Sequence, residues 1–171
     1  MRKLVLVLVS VLLAGTVAAR AQARLTPIEV NWATPLIGIW NVQNAGLHLV
    51  LPQAAAKNAL VAGEKPENLA LTKTLAALLN CKVPKDMILK AGTPPSPRLV
   101  PFKDALNAAC IHDVNGANDF AKAIGAVTKG DAAKVKTFLA AGVAQFKLGS
   151  AQVAKAYKAL IAIGGANVFK A

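Results

Sequence analysis

Two rhythms of apolar and polar residues divide this chain. Between Leu25 and Leu51, Ile28, Val30 and Trp32 alternate with Glu29 and Asn31. A period of two fits a strand with one buried face. Leu36 to Val42 is apolar and interrupted by Gly38, Asn44-Ala45-Gly46 reads as a turn, and Leu47 to Leu51 is a second apolar run before Pro52. The two runs are expected to pair as a small N-terminal hairpin. Buried helix is the competing reading for apolar runs this short.

After Pro52 the rhythm becomes helical. Pro52 and Pro66 suit the first position of a helix, where a fixed φ helps and the missing N–H is not needed. They start expected helices from Pro52 to Ala62 and from Pro66 to Asn80, the second with Leu71, Leu75 and Leu78 on one face. A short helix is expected over Lys85 to Lys90, stopped by Gly92, and Thr93-Pro94-Pro95-Ser96-Pro97 forces an extended connector. Beyond Phe102, Leu106, Cys110 and Val114 share a face, and Asn115-Gly116 is read as a break. Phe120, Ile124 and Val127 carry the next helix to Gly130. Asp131 caps a helix faced by Val135, Phe138 and Leu139, and Ser150 caps a last one with Val153, Tyr157, Leu160 and Ile161.

The expectation is therefore a mainly α, single-domain bundle of five to seven short helices with a small N-terminal β-hairpin. Residues 24–51 form the apolar N-terminal segment and residues 52–171 the helical domain, with the proline-rich connector at 92–101.

The first residues change the compartment. Arg2 and Lys3 precede an apolar run from Leu4 to Leu13, followed by small residues and two small-x-small sites, at Ala19-Arg20-Ala21 and Ala21-Gln22-Ala23. This is the pattern of a secretory signal, read here as residues 1–23 with cleavage after Ala23. The apolar run is shorter than the about twenty residues that spanning needs. Export gives the two cysteines a meaning, because a lone pair in an oxidising compartment forms a disulfide. Cys81–Cys110 would close a loop of about thirty residues, worth roughly 3.5 kcal/mol as an upper figure.

Charge narrows the partners. The formal net charge is +12, and loss of Arg2, Lys3 and Arg20 with the leader lowers it to +9. From Lys122 onward there are eight lysines and one acid, Asp131. Lys134, Lys136, Lys155 and Lys158 are the candidate face for an anionic partner: acidic lipid, glycan or cell-wall polymer. Nucleic acid fits poorly, because only Arg24 and Arg98 remain for bidentate readout and no aromatic residues interleave with the basic ones. Trp32, Trp40 and Tyr157 are the candidate aromatics for a pocket holding a small amphipathic ligand, and core packing is the plainer use of the tryptophans.

No catalytic constellation emerges, and no cofactor or metal is expected. Cys110, His112 and Asp113 lack the spacing of a zinc site, and a disulfide leaves Cys110 no thiolate. Asp113 to Asp119 resembles the start of a calcium loop, but Asn118 and Ile124 occupy the positions that need Gly and Glu. The Gly130 to Gly142 run resembles one ankyrin helix and lacks both the accompanying signature and further repeats. The expected function is that of a secreted basic α-helical binding protein, non-enzymatic, for an anionic surface or polymer or a small amphipathic ligand. A cationic membrane-active defence protein and an extracellular structural protein are the alternatives.

Overall fold

The computed structural model describes residues 24–54 and 81–170. Among them are four α-helices and no strand: α1 (Pro27–Ala54), α2 (Lys82–Lys90), α3 (Val100–Thr128) and α4 (Ala132–Ala162). Two 3-10 helices, Pro97–Leu99 and Gly165–Lys170, precede α3 and close the chain. The expected leader over residues 1–23 lies outside the described residues. So does the expected helix at 66–80, and most of the one at 52–62.

The N-terminal hairpin does not form; residues 27–54 are one helix. Its start is a capping box: Glu29 N donates to Thr26 Oγ1 at 3.4 Å while Thr26 N donates back to Glu29 Oε2 at 2.8 Å. Pro27 follows the cap at the position proline favours. The buried positions of α1 include Glu29, Ala33, Leu36, Gln43 and Leu47, with Trp40 half-buried between them. They recur at intervals of three and four, the spacing of a helix face. Two of these positions are polar, and this hides the helical period behind the alternation of Ile28, Val30 and Trp32.

Among the described residues, two expected breaks are also absent, so expected neighbouring helices run together. Asn115-Gly116 lies within α3 and Ser150 within α4. A glycine inside a helix costs about 1 kcal/mol relative to alanine, and packing overrides that cost here. A methyl group on Gly116 would lie 2.5 Å from the Phe146 ring, and one on Gly142 would lie 2.5 Å from the Phe120 ring. Each phenylalanine therefore sits in the socket left by the other helix's glycine. Phe120 and Phe146, both fully buried, meet at 5.3 Å between ring centroids.

These sockets belong to a longer pattern. On α3, Leu106, Asp113, Phe120 and Val127 recur every seven residues beside Ala109, Gly116 and Ala123. On α4, Leu139, Phe146, Val153 and Leu160 recur beside Gly142, Gly149 and Ala156. The antiparallel pair thus sets large residues of one helix against small residues of the other. The turn that reverses the chain is a Schellman motif: Asp131 N donates to Ala126 O at 3.0 Å and Gly130 N to Val127 O at 3.0 Å. Gly130 takes φ +69°, which glycine adopts without strain. Asp131 caps α4 by accepting from Lys134 N at 3.0 Å.

Helix α1 lies across this hairpin. Its Leu36 and Ile39 share a core with Phe102, Leu106, Ala156 and Leu160. Leu47 joins Phe120, Phe146 and Val153 in a second cluster. The disulfide Cys81–Cys110, Cα to Cα 5.1 Å, ties the start of α2 to the middle of α3.

Candidate functional site

Three groupings of side chains carry chemistry: the lysines of α4, an aromatic cluster where α1 meets α4, and a buried polar cluster at the disulfide.

The lysine face differs from the one the sequence suggests. The core side of α4 is set by Val135, Gly142, Phe146, Gly149, Val153, Ala156 and Leu160. At 100° per residue, Lys136 and Lys158 lie on the opposite side, with Lys155 next to Lys158. Lys134 lies on the flank and forms an ion pair with Asp131 at 2.9 Å. This pair holds the Asp131 carboxyl below its usual range and the lysine above its own. Lys147 completes the outer line, exposed and eleven residues from both Lys136 and Lys158. The sequence signal for it is that spacing, close to three whole helical turns. Lys136, Lys147 and Lys158 are therefore about 16 Å apart in a row.

Of the three candidate aromatics, two come together. Trp40 stacks on Tyr157 with centroids 5.5 Å apart. Phe169, which the sequence did not single out, completes the cluster at 5.0 Å from Trp40 and 4.9 Å from Tyr157. Trp40 Nε1 donates to Val153 O at 2.9 Å, so its polar edge is committed to holding α1 on α4. Tyr157 remains 41% exposed. Trp32 stands apart: its Nε1 donates to Ala91 O at 2.8 Å and its ring packs on the first core cluster.

The polar cluster gathers around Gln43. Its amide Nε2 lies 3.0 Å from Cys81 Sγ, 3.0 Å from Cys110 Sγ and 3.4 Å from Asp113 Oδ2. Asp113 occupies one of the large-residue positions of α3 and faces Gly149, where a methyl group would overlap Asp113 Oδ1. Burial pushes its carboxyl up to about 7, and the bond from Gln43 opposes this. The sequence placed Asp113 in a calcium-like turn; it is instead buried in mid-helix. The Cys110, His112 and Asp113 grouping also parts company: Cys110 is disulfide-bonded and His112 Nδ1 meets Gln145 Oε1 at 2.8 Å.

A second buried carboxylate, Glu29, organises the opposite end of α1. Ser96 Oγ and Arg98 Nε donate to Oε1 at 2.5 and 2.7 Å, and Thr26 N, Thr26 Oγ1 and Arg98 Nη2 donate to Oε2. These donors, Arg98 foremost, hold the Glu29 carboxyl far below the usual carboxylate range.

Among the described residues no cluster of three or more His, Cys, Asp or Glu could hold a metal ion. No described helix is long and apolar enough to cross a membrane. No protein-family model matches the chain, and neither a curated protein nor a solved structure matches it.

Proposed function

We propose that this chain is a secreted, basic, α-helical binding protein that does no chemistry of its own and meets an extended anionic surface or polymer through the outer face of α4. The carrying observation is the charge of that helix. Over Ala132–Ala162 it bears Lys134, Lys136, Lys147, Lys155 and Lys158 and no carboxylate. Lysines about 16 Å apart lie beyond one another's screening length of about 8 Å at physiological salt. They do not converge on one small anion; they match charge repeated along a polymer or a surface. At about 1 kcal/mol for each lysine near an anionic surface, binding is modest per molecule and strongly salt-dependent. The leader-like N-terminus supports an exported destination, and the disulfide is compatible with one.

The aromatic cluster favours a small amphipathic ligand as a second reading. Tyr157 is 41% exposed at the edge of the cluster with Trp40 and Phe169, so an aromatic surface is offered to an apolar group. The membrane-active alternative has less support, because the apolar face of α4 is spent on α3.

Retention on a heparin column at increasing salt tests the main reading. The triple variant Lys136→Glu, Lys147→Glu, Lys158→Glu should elute in the unbound fraction with an unchanged helical circular-dichroism spectrum. Salt-insensitive retention equal to that of the parent protein would refute the proposed face. Release of dye from anionic vesicles at micromolar protein would instead favour membrane activity.

A further inference from the structure

The buried cluster around Gln43 is not used by the proposed binding face, and its hydrogen bonds do not balance. Asp113 is 1% exposed and Gln43 is 4% exposed. Gln43 Nε2 is the donor offered to three acceptors on other elements: two disulfide sulfurs and Asp113 Oδ2. Gln43 Oε1 and Asp113 Oδ1 are buried without a hydrogen-bond partner. Both are acceptors, so an ionised Asp113 beside Gln43 leaves two buried acceptors unanswered, an expensive arrangement away from water. A proton on the carboxyl turns one acceptor into a donor.

Among the described residues, no charged group answers Asp113 from the elements packed on it. Helix α1 presents the neutral Gln43, and α4 presents Gly149. The segment before α2 presents Cys81, which does not titrate in a disulfide. On α3 itself, the adjacent His112 is turned to Gln145. The forces on the carboxyl are burial and the Gln43 bond.

We propose that Asp113 is a proton-operated latch: as the neutral acid it lets the seam between α1 and the α3–α4 hairpin stay dry, and its ionisation draws water into that seam and loosens α1. The hairpin is closely packed against water, because Phe120 and Phe146 fill the sockets of Gly142 and Gly116. Helix α1 reaches this cluster through one amide, between the core contacts of Leu36, Ile39 and Leu47, so a local opening of α1 around Gln43 would hydrate a new charge. The carboxyl changes state near pH 7, since burial raises it to about that value. The latch is thus closed in acidic surroundings and weakened in alkaline ones.

Two measurements on the disulfide-intact protein test this. The side-chain carboxyl carbon of Asp113, followed by NMR from pH 3 to 9, should titrate near neutrality; a midpoint below about pH 5, in the ordinary carboxylate range, would overturn the proposal. Amide exchange across Leu36 to Leu47, corrected for intrinsic rates, should lose about tenfold or more of its protection between pH 5 and pH 8. Asp113→Asn, neutral at every pH and able to pair with Gln43, should abolish that loss. Protection that is equal at both pH values, or a loss that persists in Asp113→Asn, would show that the carboxyl is not the latch. The NMR titration stands even if the variant does not fold.

Discussion

Glu29 and Asp113 are both carboxyl groups withdrawn from water, at 4% and 1% exposure, yet their surroundings drive them to opposite charge states. Glu29 receives donors from Thr26, Ser96 and Arg98, so ionisation is favoured over the cost of burial. Asp113 receives one shared amide at 3.4 Å, so burial prevails and the proton is kept. The difference lies in the supply of donors together with depth: Asp113 is enclosed between α1, α3 and α4, whereas Glu29 lies beside the partly exposed Arg98. Glu29 fastens α1 to the connector before α3 as an anion; Asp113 fastens α1 to the middle of α3 as an acid.

The contrast is sharpest in the pH profile of stability. Asp113 has its folded pKa raised from 3.8 to about 7. Its stabilisation is fully present below its unfolded value and is lost as pH rises through about 7. Three units correspond to at most about 4 kcal/mol. Glu29 is depressed from 4.5, so its contribution is present above that value and lost as pH falls below it. Urea melts from pH 2 to 9 should therefore show a maximum near pH 4 to 5, with a decline on both sides. A profile that climbs steadily to neutrality would break the comparison.

Removing the anion should cost less than that full swing. Glu29→Ala strips Arg98, Ser96 and Thr26 of their shared acceptor, and at pH 7 it should lower the unfolding free energy by roughly 2–3 kcal/mol. This is less than for a fully enclosed pair, because Arg98 remains 30% exposed. Urea melts at pH 7 measure it, and the acid limb of the profile should flatten in the same variant. The smallest effect is expected from Arg98→Lys, which keeps the charge and loses the two-pronged geometry to Oε1 and Oε2. It should give a small downward shift of the urea midpoint with unchanged slope.

The same polar residues explain what the sequence revealed and what it concealed. The helical character, the Cys81–Cys110 bridge and the turn at Gly130-Asp131 follow from periodicity, cysteine count and glycine placement. Helix α1 was hidden because Glu29 and Gln43 occupy core positions that a hydrophobic pattern leaves blank. Asp113 interrupts the seven-residue series of α3 in the same way. Gly116 and Ser150 looked like breaks because propensity is a local quantity, whereas the Phe146 ring that needs Gly116 comes from thirty residues away. At the candidate site, Trp40 and Tyr157 were singled out without any sign that they would meet. Lys134 joined the face by composition, and its pairing with Asp131 depends on the cap geometry.

The bridge between Cys81 and Cys110 has a further effect on the connector it encloses. Gly92, Thr93, Pro95 and Pro97 are exposed, with residues 81 and 110 covalently joined on either side. A single cut of the backbone anywhere between them leaves the two pieces linked. Peptide-bond scission there does not release a fragment, and the nicked molecule stays one particle, heavier by one water, until a reductant opens the ring.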